Sequence, residues 1–201
     1  MRHPASTTQP NPWLRAVIVV GGLLAVMWLL EAVDQSTNNS LDQFGIIPRD
    51  VDAAGHIVLA PWLHFGWAHL VANSGPFLVL GVLTYVAGFL RWLATTVVSV
   101  VVSGVTVWLT APPGSITLGV SGLVFGYLAY LLIRGFFTRR PGQIALAVVI
   151  LLVYGGVLTG LLPTASSVSW QGHLGGALGG GLAAWLQFGR GATRRRSPQM
   201  T

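Results

Sequence analysis

A serine, three histidines and an asparagine carry most of the chemistry open to this chain. Ser121 stands in Gly119-Val120-Ser121-Gly122, between a loop containing Pro112, Pro113 and Gly114 and the start of an apolar run. His173 opens a glycine-rich run, Gly172-His173-Leu174-Gly175-Gly176-Ala177-Leu178-Gly179-Gly180. A serine hydroxyl becomes a nucleophile when an adjacent base takes its proton, and neutral imidazole is the usual base. His69 and Asn73, four residues apart, project from one helix face. Side-chain donors of these two types, joined by the Ser121 backbone N–H, could stabilise the oxyanion of a tetrahedral intermediate. Each residue also has a plainer reading. Ser121 could cap a helix, His173 could donate to a backbone carbonyl, and His69 with Asn73 could tie two helices together. His64 reads as a loop anchor rather than a catalyst.

The missing residue types narrow the field. No Asp or Glu occurs after Asp52, so the later apolar runs hold no carboxylate. A pair of intramembrane aspartates, an H-E-x-x-H metal helix and a carboxylate proton relay are therefore excluded from those runs. There are no cysteines, hence no disulfide, thiolate metal site or cysteine nucleophile. A Ser121–His173 pair would have to work as a dyad.

The elements that position these groups follow from composition. Hydrophobic residues make up 53% of the chain and charged residues 8%, against about 25% charged in a soluble domain. Apolar runs fall at about 14–33, 67–90, 92–110, 121–138, 142–162 and 170–188. Each approaches the ~20 residues needed to cross a hydrocarbon core of about 30 Å. The fold class expected is an all-α membrane protein of six spans. The first run is too long for a signal-peptide core and no A-x-A site follows it, so it reads as a retained span. The expected organisation is a tail at 1–13, a membrane domain at 14–188 and a basic tail at 189–201.

The net charge of +6 is carried entirely by arginine. With the N-terminus inside, every arginine except Arg49 falls on the inner side, which by the positive-inside rule makes both termini cytoplasmic. This is a topology signal, and no nucleic-acid partner is expected. The basic tail reads the same way, with anionic lipid as its second reading. Trp13, Trp62, Trp67, Trp92, Trp108, Trp170 and Trp185 lie near span ends, as in an interfacial aromatic belt. If Arg134 marks the inner edge, Ser121 lies roughly 10 Å below the outer edge of a ~30 Å core. The loop before Ser121 must then dip inward, beside protein or a water-filled cavity. Gly172, Gly176 and Gly180 recur every fourth residue and make a flat face for close helix contact, which Gly122 and Gly126 could match.

The combination resembles the rhomboid family of intramembrane serine proteases over about residues 14–188. The resemblance rests on His64-x4-His69-x3-Asn73, on Gly119-x-Ser121-Gly122 and on His173-x2-Gly176-x3-Gly180, each in its expected span. It implies the compact bacterial form, a six-transmembrane-helix rhomboid-like bundle with a half-submerged first loop, residues 34–66, containing Pro48-Arg49. It implies Ser121 as nucleophile and His173 as general base, with His69, Asn73 and the Ser121 N–H as oxyanion donors. Gly119 would allow the turn beneath that hole, and Phe125 would pack on the histidine where family members often have Tyr. Gly122, Gly176, Gly180 and His64 would support the arrangement.

The implied activity is serine endopeptidase cleavage within or near transmembrane segments of membrane-protein substrates, without cofactor or metal. Its place would be the cell inner (plasma) membrane, in contact with membrane lipids and with the active site opening to the outer side. The alternative is a catalytically silent rhomboid-like protein that binds membrane clients, against which the intact Ser121, His173, His69 and Asn73 weigh. A small transporter would need a polar pathway that the carboxylate-free spans do not offer.

Overall fold

Asn11 starts the first helix by accepting the Trp13 N–H on its side-chain oxygen at 2.9 Å, and Pro12 occupies a position where no amide donor is needed. From there the computed structural model, which describes residues 11–163 and 169–189, is built of helices and turns. The long helices are α1 (Pro12–Ser36), α3 (Trp67–Tyr85), α4 (Phe89–Thr110), α5 (Ser121–Thr138), α6 (Pro141–Tyr154) and α7 (Trp170–Ala184). A short α2 (His56–Leu59) lies in the first loop, and a 3₁₀ segment, Gly155–Leu161, extends α6. A π-helical turn, Trp185–Gly189, continues α7. No β-strand forms among the described residues; a single bridge joins Ile46 to Thr117. The expected tails at 1–13 and 189–201 lie almost wholly outside the described residues.

Among the described residues, five helices are long and apolar enough to cross a membrane: Pro12–Ser36, Trp67–Tyr85, Phe89–Thr110, Ser121–Thr138 and Pro141–Leu161. The sixth expected span is shorter as an α-helix, 15 residues, and gains length only through its π turn. The run expected at 67–90 ends as a helix at Tyr85. Gly88, at φ +129, turns the chain, and α4 begins at Phe89 rather than 92. Trp92 is a second correction. It is buried in the core rather than placed in an interfacial belt, because α4 starts early enough to bring it beneath Tyr85.

The core is a three-helix packing of α4, α5 and α7, with α3 and α1 against one flank and α6 outside. On α1 the buried positions Ala16, Val20, Met27, Glu31 and Asp34 form one narrow stripe. That stripe meets α3, where Trp28 donates its indole N–H to Ser74 Oγ at 3.2 Å. α7 contributes almost no side-chain bulk. A Cβ on Gly176 would strike the backbone of Gly122, and one on Gly180 the backbone of Gly126. On another face, Gly175 and Gly179 lie against the Ser103 and Ser99 backbone of α4. Ser103 Oγ then donates to the Gly172 carbonyl at 2.7 Å.

The first loop is tied to the end of α4. Arg49, in the left-handed region at φ 62, donates to the carbonyls of Leu109 and Ala111 at 3.1 and 3.0 Å. Trp108 donates its indole N–H to the Asp50 carbonyl at 2.9 Å. The two arginine bonds satisfy carbonyls that the C-terminus of α4 leaves open. Arg49 thus anchors a loop, the role for which sequence alone had assigned it nothing.

Candidate active site

Ser121 is the first residue of α5, placed there by a loop that is fixed on both sides. Gly119 has φ +118, a region that favours glycine, and a Cβ on it would press into the His69 ring. Its N–H donates to the Ala60 carbonyl at 2.9 Å. The next N–H, that of Val120, donates to His64 Nε2 at 3.4 Å. His64 is buried, and burial followed by the neighbouring His69 ring pushes its pKa down to about 3. It therefore stays neutral, which it must to accept the Val120 N–H. Its proton then sits on Nδ1, which is buried without a hydrogen-bond partner.

Across from this loop, α7 brings His173 to Ser121. The Ser121 Oγ to His173 Nε2 distance is 2.9 Å. The other ring nitrogen, Nδ1, lies 2.9 Å from the Gly160 carbonyl oxygen. A carbonyl can only accept, so the proton of the neutral ring belongs on Nδ1 and the lone pair of Nε2 faces the serine. Phe125, one turn along α5, stacks on the imidazole with centroids 4.2 Å apart and planes 14° from parallel. The ring is thus held by a hydrogen bond at each nitrogen and by an aromatic face.

Gly160 is the residue that sequence reasoning missed. It lies in the 3₁₀ segment after α6, where the expectation was unbroken helix to residue 162. Space explains its identity: a Cβ there would sit 2.9 Å from His173 Nδ1 and 3.2 Å from the Phe125 ring. The sequence signal was the cluster Gly155, Gly156, Gly160 interrupting an apolar run.

His69 and Asn73 reach the same place from α3. His69 Nδ1 accepts the Phe65 N–H at 3.3 Å, which leaves the ring proton on Nε2. Asn73 donates one amide hydrogen to the His69 carbonyl at 3.0 Å and retains a second. Both line a cavity of about 620 Å³ together with Gly119, Ser121, Gly122 and His173. Its apolar wall comes from Ile46 and Ile57 of the first loop and Val100 and Val107 of α4. The backbone N–H of Ser121 lies at a helix N-terminus, where no i−4 carbonyl within the helix is available to it. The arrangement thus brings a hydroxyl, an oriented imidazole and several N–H donors to one cavity. No cluster of His, Asp or Glu suited to a metal ion occurs among the described residues.

Gly122, Gly176 and Gly180 fall where α5 and α7 touch, and Phe125 and His64 fall on the imidazole and the serine loop respectively. Similar proteins extend the comparison over most of the chain. It is 39% identical over 194 residues to an uncharacterized protein of Mycobacterium tuberculosis, covering 92% of this chain and 81% of the relative. It is 42% identical over 182 residues to an uncharacterized protein of Mycobacterium leprae, covering 87% and 72%. The sequence model of the Rhomboid domain matches residues 52–190, from the first loop through α7. With its apolar helices and this match, the chain is an integral membrane protein that belongs to the rhomboid family, a family of intramembrane proteases.

Proposed function

We propose that the protein is an intramembrane serine endopeptidase in which Ser121 and His173 act as a dyad. The observation that carries this reading is the 2.9 Å approach of Ser121 Oγ to His173 Nε2, with Nδ1 of the same ring on the Gly160 carbonyl. Ser121 Oγ adds to a peptide carbonyl as its proton passes to Nε2. The charge on the carbonyl oxygen is met by the Ser121 N–H, His69 Nε2–H and the second Asn73 amide hydrogen. Collapse breaks the C–N bond; the amine leaves with the proton from Nε2 and the acyl group stays on Ser121. Water then adds to the ester, giving a proton to Nε2. The second collapse releases the acid and restores the serine hydroxyl.

Each step uses only Ser121, His173, water and fixed donors, so the reaction calls for no cofactor. The imidazolium formed on the way is supported by the Gly160 carbonyl in place of a carboxylate. The substrates in this reading are transmembrane segments of other membrane proteins, entering from surrounding lipid. The setting is the cell membrane, with the Arg134 end of the bundle in the cytoplasm and the Ser121 cavity opening outward. The test is cleavage of a single-span substrate by purified protein in lipid vesicles. Wild type should cut it and Ser121→Ala should not; equal cleavage by both would overturn the reading.

A further inference from the structure

At the end of the bundle remote from Ser121, two cations converge on one aromatic ring. The Arg91 guanidinium, from the first turn of α4, lies 5.4 Å from the centroid of Phe188, and that of Arg134, near the end of α5, lies 5.7 Å from it. Arg134 is roughly 20 Å from Ser121 along α5 at 1.5 Å per residue. Phe188 belongs to the π-helical turn after α7, and Gln187 beside it holds that turn in place. Its amide nitrogen lies 3.4 Å from the Arg91 carbonyl and 3.3 Å from Thr95 Oγ1, and its oxygen accepts the Tyr130 hydroxyl at 3.0 Å. Three elements are thus fixed around the pair.

Among the described residues no Asp or Glu side chain pairs with these charges. The sequence has no Asp or Glu after Asp52. The acidic residues lie at the other end, where Asp34 accepts the Leu41 N–H and the Asp50 carbonyl accepts the Trp108 indole N–H. Arg91 spends one donor on the Ala87 carbonyl at 3.0 Å, and Arg134 Nε is buried without a hydrogen-bond partner. Guanidinium groups offer planar forks that match phosphate oxygens. Beside the cluster runs a strip of exposed apolar side chains along α4, namely Leu90, Leu93, Val97, Val101 and Val105. A soluble anion would have no use for that strip, whereas an acyl chain would lie along it.

We propose that Arg91 and Arg134, gathered over Phe188, bind the phosphate of an anionic phospholipid whose acyl chain lies on the apolar strip of α4. This site is separate from the Ser121 cavity, and its test does not depend on proteolysis. Delipidated protein in neutral detergent is titrated with phosphatidylglycerol or phosphatidylcholine, and retained lipid is counted by native mass spectrometry. Wild type should retain phosphatidylglycerol in preference. Arg91→Gln and Arg134→Gln should each weaken retention roughly fivefold, as ~1 kcal/mol per basic residue implies. Arg15→Gln, which removes an arginine outside the cluster, should leave it unchanged.

Thermal unfolding of each variant reports whether it is folded. If an arginine variant does not fold, Phe188→Leu supplies the measurement, since it keeps both charges and removes the ring that gathers them; retention should again fall severalfold. Unchanged retention in the folded variants, or an equal loss in Arg15→Gln, would overturn the proposal. So would equal retention of phosphatidylcholine. Displacement of the lipid by millimolar inorganic phosphate would reassign the cluster to a soluble anion and overturn the lipid assignment.

Discussion

The imidazole of His173 has little freedom: one nitrogen is on a hydroxyl, the other on the Gly160 carbonyl, and Phe125 covers a face. If Ser121 and His173 act as one unit, Ser121→Ala and His173→Ala should each abolish cleavage, and the double variant should be no worse than either. Additive losses in a single-turnover assay would contradict that. His69→Ala and Asn73→Ala should each lower turnover, by up to about 10²–10³ if the donors are not redundant. Wild-type turnover in both variants and their combination would remove them from the oxyanion site. His64 gives a pH test. Its pKa is near 6.5 when unfolded and about 3 when folded, so between those values the unfolded chain binds more protons. Its contribution to stability is complete above pH ~6.5 and is lost as pH falls toward ~3. The unfolding temperature in micelles should drop between pH 7 and 4, and His64→Asn should flatten that decline. Ser121 and His173 were legible because polar groups are scarce in apolar runs. The Gly160 carbonyl was not, because a backbone atom leaves no mark of its role in residue type.

Helix α7 is held by backbone contact rather than by side-chain interlock. Leucine at Gly176 would drive α7 away from Gly122 and carry His173 with it. Since ~1 Å of misplacement can cost about 10²-fold in rate, Gly176→Leu should lose at least that much cleavage and unfold at lower temperature. Gly181→Ala is the matched control. Its new Cβ would meet only the end of the Ile133 side chain, 3.0 Å away, which can shift. Normal activity in Gly176→Leu would mean the α5–α7 contact does not set the dyad. The every-fourth-residue glycines made one face of α7 readable in the sequence. The second face, Gly175 and Gly179 on α4, was hidden because serine backbone supplies its partner surface. Span boundaries were least legible where Gly88 or the 155–161 segment interrupts an apolar run, since hydropathy does not register a change of backbone conformation.

Across the whole molecule, charge is divided by end. Arg15, Arg91 and Arg134 stand at one end of their helices, and Arg49 and the described carboxylates stand around the first loop at the other. By the positive-inside rule, a reporter fused after Arg140 should register cytoplasm and one inserted in 34–52 the outside. A cytoplasmic 34–52 loop would reverse the orientation proposed for the cavity. The thinness of α7 has one more consequence, for the order in which the molecule is made. Six of its 15 residues are glycine, each about 1 kcal/mol poorer than alanine as a helix former. Such a segment gains its helical form chiefly by docking between α4 and α5, which synthesis delivers before it. The histidine it carries therefore reaches Ser121 last. If the two form the proposed dyad, the nascent chain is latent until the bundle closes, a serine without its base.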